Sequence, residues 1–465
     1  MHTLETIINT IGNDLSDWFL IPMLLVAAVW FTVRTRGVQF GMLGEMCRLL
    51  VGREPGRKGR NTVSPLQAFM VSIASRVGTG NLAGVATAIA VGGPGAVFWM
   101  WVIALLGASS AFVESTLAQL FKTKASDSFR GGPAYYIQKG MGKRWFAIVF
   151  ALLISLTFGL AFNSVQANTI TAALDKSFGL PVYPVGVGLA VMTAVVIWGG
   201  IHRISRFSEI AVPVMAGLYI LLAIVILVMS AGKIPYVLQA IVTDAFSGDS
   251  VVGGGLGMTI MMGVKRGLFS NEAGEGSAPN VAATAAVSHP VKQGLIQTFA
   301  VFTDTLLICT CTAIIILCSG VYTSGESGIR LTQLSLESEI GATGSAFVSV
   351  AVFFFAFTSI VSNYYYGETN LRFIKDSDTA VNVYKFAVSA MVFTGAVTSL
   401  DLAWGLADIF MGLMTLVNLT ALAFLWKYAV ILLKDYEQQK RLGRNPVYRR
   451  STIPKIASKT ECWPD

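Results

Sequence analysis

Eleven apolar stretches follow one another along this 465-residue chain, and each is long enough to cross a lipid bilayer. A helix needs roughly 20 apolar residues to span about 30 Å of hydrocarbon. Hydrophobic residues make up 54% of the sequence and charged residues only 13%, a balance far too apolar for a soluble protein of this length. We therefore predict an all-α polytopic membrane protein. The predicted spans are 18–33, 64–91, 95–121, 145–170, 183–200, 208–231, 253–286, 293–319, 344–368, 383–400 and 403–433.

The positions of the basic residues predict how the chain is oriented, because Lys and Arg accumulate in the short cytoplasmic loops of membrane proteins. If the N-terminus lies outside, all but six of the 34 Lys and Arg residues fall in cytoplasmic loops or at cytoplasmic span ends. This predicts a multi-pass protein of the plasma membrane, the inner membrane of a bacterium, with its C-terminus in the cytoplasm. The net charge of +8 is spread over several loops and a tail, so it does not indicate nucleic-acid binding. The exceptions are Lys176, Lys233 and Arg330 outside, and Arg76, Lys265 and Arg266 within spans.

Glycines and polar residues interrupt the second span. The stretch SRVGTGNLAG, residues 75–84, holds three glycines together with Arg76, Thr79 and Asn81. Inside a bilayer, irregular backbone survives only where protein encloses it or where it lines a wet cavity. A glycine-rich packing face would explain the glycines but not the polar residues clustered with them. We therefore predict a broken helix whose two half-helix ends present amides and carbonyls to an anion and a cation.

A second interrupted segment, GMTIMMGVKRGLFSNEAGEGSAPNVAATAA, covers residues 257–286 and carries Lys265, Arg266, Glu272 and Glu275 among its glycines. Ionisable groups at this depth are expensive, which makes them functional candidates. With the first span set aside, the other ten form two sets of five, and a broken segment opens each set. An odd number of spans per set gives the inverted repeat of secondary transporters.

These observations predict four regions along the chain. Residues 1–62 hold the external N-terminus, an extra span and a basic cytoplasmic loop. Residues 63–232 and 233–433 form the two five-helix repeats. Residues 434–465 form a solvated cytoplasmic tail without a fold of its own.

Four sequence motifs resemble the alanine or glycine:cation symporter family. They are RVGTGNLAGVATAIAVGGPGAVFWMW, FRGGPAYYI, VQAN and RGLFSNEAGEGSAPNVAATA, and the similarity runs along nearly the whole chain. The resemblance implies a LeuT-like fold of five plus five helices in inverted repeat, with one extra N-terminal helix. It also implies alternating-access uptake of a small neutral amino acid, alanine or glycine, with sodium as the coupling ion and no cofactor. Composition and spacing alone support only a cation-coupled carrier.

The resemblance also assigns substrate contacts. It implies that amides of the first break bind the substrate carboxylate, and that a second break at 267–270 offers carbonyls to the ammonium group, with Phe269 closing over a short side chain. Asn363 stands where many family members carry a tryptophan, so the size limit of the pocket stays open. The implied substrate contacts are Gly78, Thr79, Gly80, Gln166, Leu268, Phe269, Ser270 and Asn363.

A sodium site is implied by the register of VGTGN with FAFTSIV, since both stretches resemble helices of the LeuT-like carriers. An all-oxygen ligand set suits such a hard cation. The alternative for the two hydroxyls is bonding back to their own helix. Asn81 is a candidate ligand for a second sodium ion near the substrate. The implied ligands of the first ion are the carbonyls of Ala74, Val77 and Phe355 and the hydroxyls of Thr358 and Ser359.

Rival functions fit the sequence less well. An intramembrane hydrolase needs a nucleophile with a base or a metal site, and the sequence has no H-E-x-x-H motif, so we do not predict an enzyme. A channel can also be built from broken helices, but two breaks in corresponding positions suit alternating access better. A proton- or sodium-coupled carrier of another small amino acid or amine stays open. Asp304 could tune the cation site or neutralise Arg76 or Lys265, and the sequence does not choose.

Overall fold

The computed structural model describes residues 10–52, 63–125, 128–247, 255–398 and 400–465. Within these ranges, eight helices are long and apolar enough to cross a membrane, and two shorter apolar helices accompany them. Residues 1–9 of the predicted N-terminal region and residues 53–62 of its predicted basic loop lie outside the described residues.

The long apolar helices follow the predicted spans, the two interrupted spans are each divided, and shorter helices lie in several of the predicted loops. Two short strands, β1 (Thr123–Lys124) and β2 (Phe129–Arg130), form an antiparallel pair with Thr123 opposite Arg130. The helices are α1 (Thr10–Arg34), α2 (Val38–Gly41), α3 (Leu43–Val51), α4 (Pro65–Arg76), α5 (Gly80–Gly92), α6 (Gly95–Leu120), α7 (Pro133–Tyr136), α8 (Arg144–Phe178), α9 (Val182–Ile197), α10 (Gly200–Met229), α11 (Ile234–Ala245), α12 (Gly255–Asn271), α13 (Ala278–Ala282), α14 (Pro290–Ser319), α15 (Gly328–Ile340), α16 (Ala342–Ile374), α17 (Asp378–Val397) and α18 (Leu400–Arg441).

The first predicted break, between α4 and α5, is confirmed. Helix α4 begins with a capping box, in which Ser64 accepts from the Gln67 N–H and Gln67 accepts from the Ser64 N–H. The helix ends at Arg76, and Val77 leaves helical geometry with a ψ of 86°. We call residues 77–79 the first break.

The second break lies later in the chain than predicted. Helix α12 continues through Asn271, and the irregular backbone is at residues 272–277, which we call the second break. Three residues there have positive φ: Glu272 at 55°, Gly274 at 89° and Gly276 at 87°. The prediction of a break at 267–270 was therefore wrong.

The prediction was misplaced because it interpreted the glycines of α12 as a sign of irregular backbone. These glycines instead allow α12 to pack closely against α6. A Cβ added at Gly267 would lie 2.9 Å from Ile103 Cγ2, and one added at Gly263 would lie 2.7 Å from the Cβ of Trp99. Both distances are closer than real side chains approach, so only glycine fits these positions of α12.

The two broken segments run in opposite directions through the fold. At one side, the Ala286 N–H donates to the Val63 carbonyl (3.1 Å), next to the start of α4. At the other side, the Thr259 hydroxyl donates to the Gly92 carbonyl (2.8 Å), which joins the start of α12 to the end of α5. This antiparallel arrangement is what an inverted repeat requires.

The C-terminal tail, residues 442–465, is packed against the helices, so the prediction of a tail without a fold was wrong. The Trp463 indole N–H donates to the carbonyls of Gln119 and Leu120, both at 3.2 Å. The Tyr448 N–H donates to the Ser288 carbonyl (3.0 Å). The physical reason is that the basic residues of the tail alternate with apolar ones that become buried on the helix bundle. We call this side of the molecule the tail side. The buried apolar residues of the tail are Tyr448, Ile453, Ile456, Cys462 and Trp463.

Candidate substrate and ion site

The backbone amides of the first break are bound by side-chain oxygens. The Gly78 N–H donates to Asn81 Oδ1 and the Thr79 N–H donates to Gln166 Oε1, both at 3.0 Å. All four residues are buried. The side chains of Ser359 and Gln166 enclose Gly78. These amides directly precede α5, at the end of the helix where its dipole favours negative charge. A carboxylate at Thr79 would therefore take the place of the Gln166 oxygen.

The last turn of α12 lies directly over the first break. A Cβ added at Gly80 would be 3.1 Å from Phe269 Cδ1 and 3.1 Å from Ser270 Cα. Phe269 lies between Phe162 and Trp404, with ring centroids 4.4 Å and 4.6 Å away and ring planes tilted by 38° and 46°. We call Phe162, Phe269 and Trp404 the aromatic cap.

The carbonyls at the end of α12 differ in whether they accept a helical hydrogen bond. The Leu268 carbonyl accepts the Glu272 N–H at 2.8 Å. The next amide, that of Ala273, donates to Asn271 Oδ1 (3.0 Å) instead of continuing the helix. The helical hydrogen bond to the Phe269 carbonyl is thereby lost, which makes this carbonyl, rather than that of Leu268, available to a ligand.

The five groups assigned to the first sodium ion are brought together. Ser359 Oγ lies 2.9 Å from the Ala74 carbonyl oxygen, 3.4 Å from that of Val77 and 3.0 Å from that of Phe355. Thr358 Oγ1 lies 2.9 Å from the same Phe355 oxygen. Both hydroxyls thus bond back to α16, as the alternative predicts, while Ser359 also reaches across to α4.

Asp304 joins the start of α5 to α12. Its Oδ1 accepts from Asn81 Nδ2 (2.7 Å), and its Oδ2 accepts from the Ser270 hydroxyl (2.8 Å) and the Thr305 hydroxyl (3.0 Å). Among the described residues it forms no ion pair with Arg76 or Lys265. Asn81 therefore lies between the Gly78 amide and a carboxylate.

Lys265 and Arg266 instead pair with Asp408 of α18, on the side opposite the tail. Lys265 Nζ lies 2.8 Å and Arg266 Nη2 lies 3.2 Å from Asp408 Oδ2. The Arg266 guanidinium also lies 4.2 Å from the Trp404 ring centroid, above the aromatic cap. The sequence marks Asp408 as a charge within a span, but no local spacing links it to Arg266, 142 positions away, or to the neighbouring Lys265.

Comparison with known proteins identifies the family of this chain. The model of the sodium:alanine symporter family matches residues 1–450. The amino-acid carrier protein AlsT of Bacillus subtilis (strain 168) is 51% identical over 465 residues, which are 99% of each chain. The probable sodium/glutamine symporter GlnT of that organism is 49% identical, covering 99% of this chain and 96% of its own. The chain belongs to the sodium:alanine symporter family.

Solved structures give the same fold for this family member. The crystal structure of MhsT in complex with L-phenylalanine has a TM-score of 0.58 at 15% identity, covering 88% of this chain and 93% of the other. A manganese transporter of Eremococcus coleocola has a TM-score of 0.52 at 13% identity, covering 85% and 84%. This sodium:alanine symporter family protein is thus a LeuT-fold membrane transporter that carries an amino acid by symport, and it is not an enzyme.

In this symporter family protein, Asn363 lies in a polar network on the tail side of the first break. Its Oδ1 accepts from the Ser75 hydroxyl (2.7 Å), and its Nδ2 donates to Asn163 Oδ1 (3.2 Å). Ser75 Oγ also lies 2.6 Å from Glu272 Oε1. Asn363 therefore connects α4 and α8 with the second break.

Proposed function

We propose that this protein is a secondary active symporter that takes up alanine or glycine with sodium by alternating access. The observation that carries the proposal is the position of Ser359 Oγ, within 3.4 Å of three carbonyl oxygens from α4, the first break and α16. Together with Thr358, these oxygens would surround one Na⁺ beside Gly78. An ion held there would neutralise nearby negative charge and fix the first break in one geometry.

The substrate would bind next to this ion as a zwitterion. Its carboxylate would accept the Thr79 and Gly80 amides at the start of α5, with Gln166 moving aside. The Thr79 hydroxyl is buried without a partner among the described residues, so it is free to bind the same group. The ammonium group would donate to the Phe269 carbonyl.

Space beside the first break favours a short side chain. The Phe269 ring of the aromatic cap packs against Gly80 itself, since a Cβ added to Gly80 would lie 3.1 Å from Phe269 Cδ1, and we expect a substrate bound at the Thr79 and Gly80 amides to contact this ring. Alanine and glycine fit this restriction best. Glutamine is the second candidate, because a relative of 49% identity bears the name of a probable sodium/glutamine symporter.

Asn81 would contribute to a second sodium ion only after rotating its oxygen away from Gly78, because that oxygen now accepts the Gly78 amide. For orientation, we propose that the tail side is cytoplasmic and that the protein lies in the cell membrane. The support is the concentration of Lys and Arg in the loops and tail of that side.

Uptake into liposomes tests the proposal. Purified protein should accumulate labelled alanine or glycine against its gradient when external Na⁺ exceeds internal Na⁺, and competition with unlabelled glycine, alanine and glutamine should rank them. Equal accumulation with choline or K⁺ in place of Na⁺ would rule out sodium coupling. Accumulation driven by an imposed pH gradient alone would favour the proton-coupled alternative, whereas a non-saturating flux without accumulation would favour a channel.

A further inference from the structure

Three buried carboxylic acids meet at the second break, and the proposed substrate and ion site uses none of them. Glu272 and Glu275 belong to the break, and Glu114 reaches it from α6; each is at most 1% exposed. Among the described residues, Arg76 is the cation that acts electrostatically on all three. Three ionised acids facing one cation would leave buried charge unbalanced, which is prohibitively costly inside a membrane protein.

Hydrogen bonds distinguish the three acids. Glu114 accepts from the Gly274 amide (3.2 Å), the Gly276 amide (3.0 Å) and Asn418 Nδ2 (2.9 Å). Such N–H donors stabilise an ionised carboxylate. Glu114 is therefore the acid best able to hold a negative charge here.

Glu272 and Glu275 have fewer donors. Glu272 accepts from the hydroxyls of Ser75 and Ser277, both at 2.6 Å. Glu275 lies between the two glycine amides that Glu114 binds, yet neither of its carboxyl oxygens has a hydrogen-bond partner among the described residues. A buried carboxylate without a donor is the least stable form of the three.

We propose that Glu275 is a proton-binding site: its carboxyl group is neutral while the second break is packed as in this structure, and it releases its proton to tail-side water when α4 and α13 separate. The step breaks the carboxyl O–H bond and transfers the proton to water, leaving a hydrated carboxylate. The separation belongs to the alternating access of the proposed function, on which this part of the inference rests. Two contacts would break in it, the Ser75–Glu272 hydrogen bond and the Ala286–Val63 hydrogen bond.

The surroundings of Glu275 favour the neutral form in the packed state. Glu114 from α6 and Glu272 from the break oppose a further negative charge, and Arg76 from α4 favours it. From α8, Phe150 contributes an apolar ring next to Gly276. Among the described residues, two tyrosines also lie near these acids: Tyr136 of α7, which donates to Asn418, and Tyr366 of α16, which faces Glu272.

The proposal fixes the sign of a pH effect. The packed state holds one more proton than the separated state, so raising the pH on the tail side favours separation, and lowering it favours packing. At its steepest, the equilibrium between the two states changes roughly tenfold per pH unit.

Infrared spectroscopy of the full-length protein tests the protonation directly and without transport. At neutral pH the wild-type protein should show the C=O stretching band of protonated carboxylic acids, and Glu275→Gln should lose the part of that band that one carboxyl group contributes. The matched control is Glu337→Gln, an exposed acid of α15, which should keep it. A band that Glu275→Gln leaves unchanged would overturn the proposal. If that variant does not fold, Glu114→Gln and Glu272→Gln decide instead: the band should survive in both, and its loss in either assigns the proton elsewhere.

The pH profile of exchange tests the coupling to alternating access. In liposomes with equal Na⁺ on both sides, exchange of labelled for unlabelled alanine should speed up as tail-side pH rises in wild type and in Glu337→Gln, and it should be flat in Glu275→Gln. The same pH slope in all three proteins would overturn the coupling, while the infrared result would still stand. Absence of sodium-dependent uptake in wild type would instead remove the proposed function alone.

Discussion

The two helix breaks occupy matching positions in the two halves of this symporter family protein, but their chemistry differs. The first break is short and neutral, and its amides are bound by the amide side chains of Asn81 and Gln166. The second break is longer, contains two acids and three residues with positive φ, and is bound by a third acid, Glu114.

This difference indicates that the two breaks have different roles. Contacts between neutral groups, such as Thr79 with Gln166, are weak enough for a substrate carboxylate to replace them. Hydrogen bonds to an ionised group in a buried site are stronger, and removing one partner leaves an unpaired buried charge, which is costly. We therefore expect the first break to bind ligands and the second break to depend on Glu114 for its own stability.

The largest expected effect is at the second break. Glu114→Ala removes the acceptor of two backbone amides and of Asn418, and we expect it to lower the free energy of unfolding by roughly 3–5 kcal/mol. Thermal unfolding in detergent measures this. Glu337→Ala, at an exposed position, is the control and should change stability by at most about 0.5 kcal/mol. Equal unfolding temperatures for the two variants would mean that the second break does not depend on Glu114.

At the first break we expect a large effect on transport without a comparable loss of stability. Gln166→Glu places a fixed carboxylate where the Thr79 amide donates, so it would compete with the substrate carboxylate and repel it. Uptake should fall roughly hundredfold, which corresponds to about 2.7 kcal/mol. Gln239→Glu, on the exposed surface of α11, is the matched control. Uptake by Gln166→Glu at the wild-type rate would show that the Thr79 amide does not bind the substrate.

The smallest effect is expected between the breaks. Asn363→Ala removes the hydrogen bonds to Ser75 and Asn163, and it should cost about 1 kcal/mol of stability. The half-saturating alanine concentration should change less than about tenfold. Asn382→Ala, an exposed position of α17, serves as the control. A reversed preference between alanine and glutamine would show that Asn363 contacts the substrate directly.

The first break was predictable because its signal is local. Three glycines with Thr79 and Asn81 inside an apolar span conflict with an unbroken membrane helix. The grouping of Ser359 with Ala74 and Val77 came from the family resemblance, since nothing in the local sequence brings positions 285 residues apart together.

Tertiary contacts decided what the sequence could not. Glycine occurs both in helix breaks and where helices pack closely, and the sequence does not distinguish the two. Gly267 was therefore predicted to lie in a break, whereas it packs against Ile103. The tail was predicted to be solvated because its basic residues dominate its composition, but the burial of Trp463 depends on the end of α6. The pairing of Lys265 and Arg266 with Asp408 likewise depends on α12 and α18 meeting in the fold.

The most direct test of the division between the breaks is the sodium dependence of alanine binding to purified protein. Ser359→Ala should raise the sodium concentration for half-maximal binding about tenfold or more, the effect of losing roughly 1.4 kcal/mol from the ion site. Glu272→Gln, at the second break, should leave that concentration within about twofold of wild type, since the proposed ion site does not include it. An unchanged sodium dependence in Ser359→Ala, or an equal shift in both variants, would contradict the account.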